Sequence, residues 1–406
     1  MSVTSAMQAG VSGLLSSGEA ISVIGNNLAN VSTTGFKEGR TLFSNLLSST
    51  INNGQIGDGS QVQGVQNMFS QGTLETTGSA TDLAIQGNAM FVLKGPNSTE
   101  QYYSRAGSFA FNSDNILTDP SGNEVLGYGM TDMIKGTSNG VLGTIDLANF
   151  STMAPKATTT LSVTANLDSS SSPPATTWDP SQAGFNPTTE SNFSTSATVY
   201  DAQGNAKSLT LYFANTGANT WDLYTYDGTT YTAKGAGTPL TFDASTGALK
   251  SPSPATISTN GLTVDLTGTT QFATASAVSS QTQDGYAAGN ETSVSIDSQG
   301  VVNVEYSNSQ TQKVAQVALA TFASPTGLNS VGNNLYSATT ASGAAVINNT
   351  SNLSNNTIAS NSLEQSNVDL GGQLTQLITI QQAYEANSKT ITTADEMMQD
   401  VLSVIK

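Results

Sequence analysis

The chain has 406 residues, of which 12 are basic and 29 acidic, and it contains neither cysteine nor histidine. A net charge of −17 argues against a nucleic-acid partner and against an anionic membrane surface, because both require a basic face. Without Cys and His there is no thiol catalysis, disulfide, Ser-His-Asp triad or ordinary zinc site, so no catalytic residue, metal site or cofactor is nominated.

The length allows two or three domains with sizeable cores. No run of 18 apolar residues occurs, so membrane insertion is not expected. The N-terminus does not read as a cleavable secretory signal, since its first basic residue is Lys37 and Gly and Ser interrupt any apolar stretch.

Residues 2–31 read as a helix with an apolar seam at Met7, Leu14, Ile21 and Leu28, spaced by two helical turns. Its only charge is Glu19, and Ser, Thr, Ala and Gly cover the other sides, so it lacks the charged face of an ordinary surface helix. Gly10, Gly13, Gly18 and Gly25 each cost about 1 kcal/mol relative to Ala in a helix interior. Such a helix is expected to order only when neighbours surround it. Asn30 and Gly35 read as its stop, with Phe36 anchoring the chain beyond the turn. Residues 36–72 read as a connecting segment that is polar and Gly-rich from 44 onward, with Met68 and Phe69 as anchors.

From about 73 the pattern is β. Runs 83–87 and 89–93 read as strands around a Gly-Asn turn, and 102–105 with 108–111 as a hairpin. Residues 156–282 form another β-rich region, with period-two alternation at 161–165, 208–213 and 221–226. Its turns lie at Gln203-Gly204-Asn205, Asp227-Gly228 and Ser245-Thr246-Gly247. Strands return over 293–338, and 339–366 is Asn- and Ser-rich with few anchors.

A final helix begins near Asn367-Val368-Asp369, with Asn367 or Asp369 as its cap. Leu370, Leu377, Tyr384, Ile391, Met398 and Ile405 form an unbroken row of sevenfold spacing along it. The row 374, 381, 388, 395, 402 is the expected companion and is polar in the middle, which suggests a narrow seam with further neighbours. The two end helices are therefore expected to pair, either as a simple intramolecular hairpin or within an assembly that supplies further neighbours.

Motifs for chemistry dissolve on inspection. Gly136-Thr137-Ser138-Asn139-Gly140 matches G-x-S-x-G, but the chain has no His to serve as base, and a plain turn is expected. Asp119-Pro120-Ser121-Gly122-Asn123-Glu124 lacks the oxygen ligands of a calcium loop and reads as a turn. Gly235-Ala236-Gly237 precedes no helix that would cradle a phosphate. Trp178, Trp221 and the tyrosines at 224–231 suggest either strand packing or a stacking surface, as in a secreted β-rich adhesin or carbohydrate-binding module.

Asn26, Asn27, Leu28 and Asn30, continuing to Gly35, Phe36 and Lys37, resemble the N-terminal signature of the flagellar rod and hook protein family. Asn367, Val368 and Asp369, with Gln382-Ala383-Tyr384-Glu385-Ala386-Asn387, look like its C-terminal signature. The segments 283–289, 316–322 and 332–336 are similar to the hook branch; the chain departs at Gly371-Gly372, where relatives carry polar helix formers.

The resemblance implies a mainly β fold with terminal α-helices: nested, discontinuous β domains plus a coiled-coil-like helical domain built from both chain ends. Expected boundaries are 1–35 with 365–406 for the helical assembly domain, 73–155 with 283–364 for a discontinuous β domain, and 156–282 for an inserted outer β domain. It also implies a non-enzymatic subunit that passes through the flagellar type III export apparatus and polymerises with copies of itself into a curved, torque-transmitting tube outside the cell. Its neighbours would be the rod, a hook cap and hook-associated junction proteins. A distal rod protein of the same family is the alternative.

Overall fold

The computed structural model describes residues 3–51, 54–96, 98–132, 137–231, 239–259, 261–350 and 356–404. Ile405, the triplet at 235–237 and Gly136 lie outside these residues. The described chain is mostly β, with helix α1 (Val3–Ala29) near one end and helix α2 (Leu370–Val404) near the other. It divides into two units. One comprises 1–150, 293–305 and 311–406, and the other 151–292 and 306–310.

In the first unit, α1 stops where the Asn30 side chain donates to the Asn26 carbonyl (3.0 Å) and Gly35 takes φ +70°. A side chain at 35 would also meet the Ala106 nitrogen at 2.4 Å, so glycine is required twice over. The connecting segment is more regular than its composition suggests. β1 (Gly39–Ile51) and β2 (Gly54–Asn67) form a long antiparallel hairpin. Register shifts after Leu42, Asn45 and Leu47 break the simple alternation by which strands are read from sequence. The hairpin lies on α1, where Ser60 N–H donates to Ser12 Oγ (3.3 Å) and the Ser16 and Ser60 hydroxyls are 3.0 Å apart.

The main sheet of this unit runs, in order, through strands Val301–Tyr306, Thr311–Val317, Glu124–Asp132, Met90–Lys94, Gln101–Ser104, Leu335–Ser337 and Asn329–Gly332. Met90, Val92, Leu126, Ala318 and Phe322 are buried in its core, and Phe69 anchors there edge-on to Tyr336. The expected hairpin of 102–105 with 108–111 does not form. Gln101–Ser104 pairs with Met90–Lys94 and with Leu335–Ser337, and Ala110–Phe111 pairs with Leu117–Thr118. The chain at Gly107 instead runs under Leu83, whose N–H donates to the Gly107 carbonyl at 2.9 Å. The Asn/Ser-rich stretch also carries strands: Thr357–Ser360 pairs with Leu83–Gln86, and Ser362–Glu364 with Leu74–Thr76. At Ser138 the expected turn is a bulged strand (Thr137–Thr144), with Gly140 at φ +71° inside the bulge.

The second unit holds two five-stranded sheets. Leu161, Val163 and Leu167 from one sheet and Leu211, Phe213 and Trp221 from the other share one core. On the opposite face of the second sheet Trp178 stacks on Tyr224, with ring centroids 4.5 Å apart. Trp221 is 0% and Trp178 2% exposed, so both indoles serve packing and present no open stacking platform.

Candidate assembly element and its clasp

α1 and α2 lie antiparallel. A Cβ built on Gly10 would meet the Ile391 side chain at 2.9 Å, one on Gly13 would meet Asn387 Nδ2 at 2.4 Å, and Asn27 Nδ2 donates to Gln373 Oε1 at 3.0 Å. The covered face of α1 is Gly10, Gly13, Ser17, Ala20, Ile24 and Asn27. On α2 the covered positions are Gln373, Leu377, Ile380, Asn387, Ile391 and Ala394. Small residues on α1 let the backbones approach closely, and larger side chains are displaced to the flanks.

That displacement changes the reading of the apolar rows. Leu14, Ile21, Leu28, Leu377 and Ile391 are half-buried. Met7, Leu370, Tyr384 and Met398 are exposed by 39%, 46%, 43% and 41%, so the α2 row enters the contact at Leu377 and Ile391 and leaves it at the positions between and beyond them. The expected companion row also faces outward: Leu374, Gln381, Ser388, Asp395 and Leu402 are exposed. Its place is taken by Gln373, Ile380, Asn387 and Ala394, one residue earlier.

The signature residues form a hydrogen-bonded clasp between the helices and the hairpin. The Asn27 side chain donates to the Gly39 carbonyl (2.8 Å) and accepts the Gly39 N–H (2.9 Å). Asn367 accepts the Glu38 N–H (2.8 Å) and donates to the Met68 carbonyl (2.7 Å), which ties the two residues at the open end of the hairpin to the start of α2. Gln373 closes the ring by donating to Glu38 Oε1 at 2.8 Å. Asp369 is the cap, accepting the Gly371 N–H at 3.0 Å. Val368 is buried, Phe36 half-buried and Asn26 exposed.

Beside the clasp lies a group that composition and periodicity did not single out. Glu364 Oε1 accepts from Lys37 Nζ (2.6 Å) and from the Gly72 N–H (2.9 Å), while Oε2 stands 3.5 Å from Arg105 Nη1. All three side chains are at most 1% exposed. Lys37 also donates to the Ser70 carbonyl (2.7 Å), and Arg105 to the Gly87 carbonyl (2.5 Å). Burial pulls the Lys37 ammonium and the Arg105 guanidinium below their ordinary pKa values, and the Glu364 carboxylate opposes that shift in both. Two signals pointed at one member: Lys37 is the first basic residue in a chain that has only 12, and it closes the N-terminal signature; Arg105 and Glu364 carried none.

Both helices also present apolar side chains to solvent. On α1, Met7, Val11 and Leu15 recur every fourth residue, with Val11 41% and Leu15 67% exposed. With Ser12 and Leu46 of the hairpin they line a groove of about 620 Å³. On α2 the matching ridge is Leu370, Leu374 and Ile378, the last 56% exposed. Among the described residues no cluster of Asp and Glu suited to a metal ion occurs.

Four family models match along the chain. They are described as flagella basal body rod protein (residues 7–37), flagellar hook protein FlgE/F/G D1 domain (84–166), flagellar basal body protein FlaE D2 domain (166–286) and flagellar basal body rod FlgEFG protein C-terminal (359–404). The chain is 35% identical to the flagellar hook protein FlgE of Escherichia coli (strain K12) over 97% of its own length and 98% of that protein's. It is 33% identical to FlgE of Salmonella typhimurium over 97% of its length and 98% of that protein's, and 31% identical to FlgE of Treponema pallidum at the same coverage. A crystal structure of Helicobacter pylori flagellar hook protein FlgE2 aligns with a TM-score of 0.52 at 16% identity, covering 72% of this chain and 100% of that one. That last likeness is one of fold.

Proposed function

This chain belongs to the flagellar hook protein family, and from that premise we propose that it is a structural hook subunit whose two end helices are the assembly element. The hook is a curved tube that carries torque from motor and rod to filament. The carrying observation is the pair of ridges at four-residue spacing, Met7-Val11-Leu15 and Leu370-Leu374-Ile378, left in water on helices that otherwise pair well. They occupy different helices, so the α1 groove of one copy receives the α2 ridge of the next. A contact between two different patches is heterologous, and it propagates into an open helical polymer instead of closing as a dimer.

On this reading 1–35 with 365–406 act as the assembly domain. Residues 73–155 with 283–364 and the inserted 156–282 build the tube's outer layers, and 36–72 connects the two parts. The subunit leaves the cell through the flagellar type III export apparatus and works outside it. It contacts rod protein, the hook cap during growth and hook-associated junction proteins. It performs no catalysis. Electron microscopy of purified full-length protein tests the proposal: tubes are expected, and intact chains that never form them, alone or on an isolated hook base, count against it.

A further inference from the structure

The α1–α2 seam carries one buried polar register mark, the Asn27–Gln373 hydrogen bond near one end, and is poor in such features along the rest of its described length. Gly10, Gly13, Ser17 and Ala20 on α1 offer small, similar surfaces, and a slide of one turn would place small residues against much the same side chains. One neutral hydrogen bond is a weak register mark, and a stronger one lies outside the seam.

Glu364 lies six residues before α2 and gathers three chain segments at its carboxyl group. Lys37 comes from the segment leaving α1, Gly72 from the segment leaving β2, and Arg105 from the sheet; the Glu364 carbonyl also accepts the Gly35 N–H at 2.7 Å. The carboxylate is fully buried, so moving the chain by one residue would leave three charges desolvated and mispaired. Apolar contacts tolerate such a slip, whereas a buried charge cluster does not.

We infer that the Lys37–Glu364–Arg105 cluster is the register lock of the helix pair, with Glu364 as a positioning residue for the assembly element. The inference takes the helix pair as that element, but its test is intramolecular and reads out separately from polymerisation.

The absence of cysteine makes cross-linking clean. A Cβ at position 13 stands 2.8 Å from Asn387 Cγ, so Gly13→Cys with Asn387→Cys should form a disulfide in the native register. Gly13→Cys with Tyr384→Cys or with Ile391→Cys reports slips of about one turn. These pairs are introduced into the full chain with the cluster intact, and into a volume-matched variant, Lys37→Met, Arg105→Met and Glu364→Leu. Oxidation products are mapped by mass spectrometry in the soluble and pelleted fractions.

With the cluster intact only the 13–387 link is expected. In the apolar variant it should fall about tenfold, with or without links at the shifted positions, while thermal unfolding of the β units stays in place. An undiminished 13–387 link in that variant overturns the lock, whether or not the protein polymerises. Should the triple variant fail to fold, Glu364→Gln removes the charge but keeps the acceptor for Gly72, and the same two outcomes decide. Loss of tubes with the 13–387 link retained would refute the lock and leave the assembly proposal standing.

Discussion

The end helices and the second β unit solve the problem of burial in opposite ways. In the β unit Leu161, Val163, Leu211, Phe213, Trp221, Leu240 and Val264 are all 0% exposed, and turns such as Asp201-Gly204 and Asp243-Gly247 close with their own side-chain hydrogen bonds. That unit buries what it needs within itself. The helix pair joins through glycine, serine and alanine and leaves Leu15, Ile378, Val401 and Leu402 between 56% and 67% exposed. On the proposed function, the difference separates a part built to persist from a part completed by copies of itself.

The harshest way to break that comparison is to delete residues 1–30. Polymerisation should disappear, while circular dichroism and the unfolding transition of the β units remain; undiminished assembly would remove α1 from the role given to it. Next in size, Trp221→Ala should destabilise the second unit by about 3–5 kcal/mol in urea unfolding of the full chain. Below its midpoint the variant should still assemble, because the helices are untouched.

A smaller intervention sharpens the contrast at the ridge. Leu374→Ser with Ile378→Ser should change monomer stability by no more than about 0.5 kcal/mol, as surface substitutions do, yet raise the concentration needed for polymerisation in sedimentation assays. Gly18 and Gly25 have nothing within 4 Å among the described residues, unlike Gly10 and Gly13, which touch α2. Alanine at either should stabilise α1 by about 1 kcal/mol. If those glycines admit a neighbouring copy, assembly will fall as helicity rises, and rising helicity with unchanged assembly would refute that use.

The smallest effect concerns pH. Burial raises the Asp284 pKa, but the Thr159 hydroxyl and N–H, the Thr160 N–H and the Lys156 ammonium outweigh it and hold the carboxyl well below the usual range. A depressed folded-state pKa stabilises above the unfolded value of about 3.9, and that stability is lost as pH falls through the folded one. Asp284→Asn should therefore lower the second unit's stability modestly at neutral pH, since the carboxyl is partly exposed, and flatten its further fall toward acid pH.

Local chemistry accounts for what the sequence by itself determined. Sevenfold apolar spacing, few charges, period-two alternation and Asp-Gly or Asn-Gly turns act over a few residues, so the two end helices and the β character of the middle were legible without coordinates, while the assembly class came only with the likeness to a family. The signature motifs were legible too, but only as a likeness. Tertiary structure decided which faces meet. Close approach at Gly10 and Gly13 selected a seam that keeps Leu377 and Ile391 of the apolar row but lies one residue before its expected companion row, and bulges hid the β1–β2 hairpin. Glu364 finds Lys37 327 positions away and Arg105 more than 250 away. Pairings at that separation follow from how the folded chain fills space and leaves no buried charge unmatched, a condition that neither periodicity nor composition records.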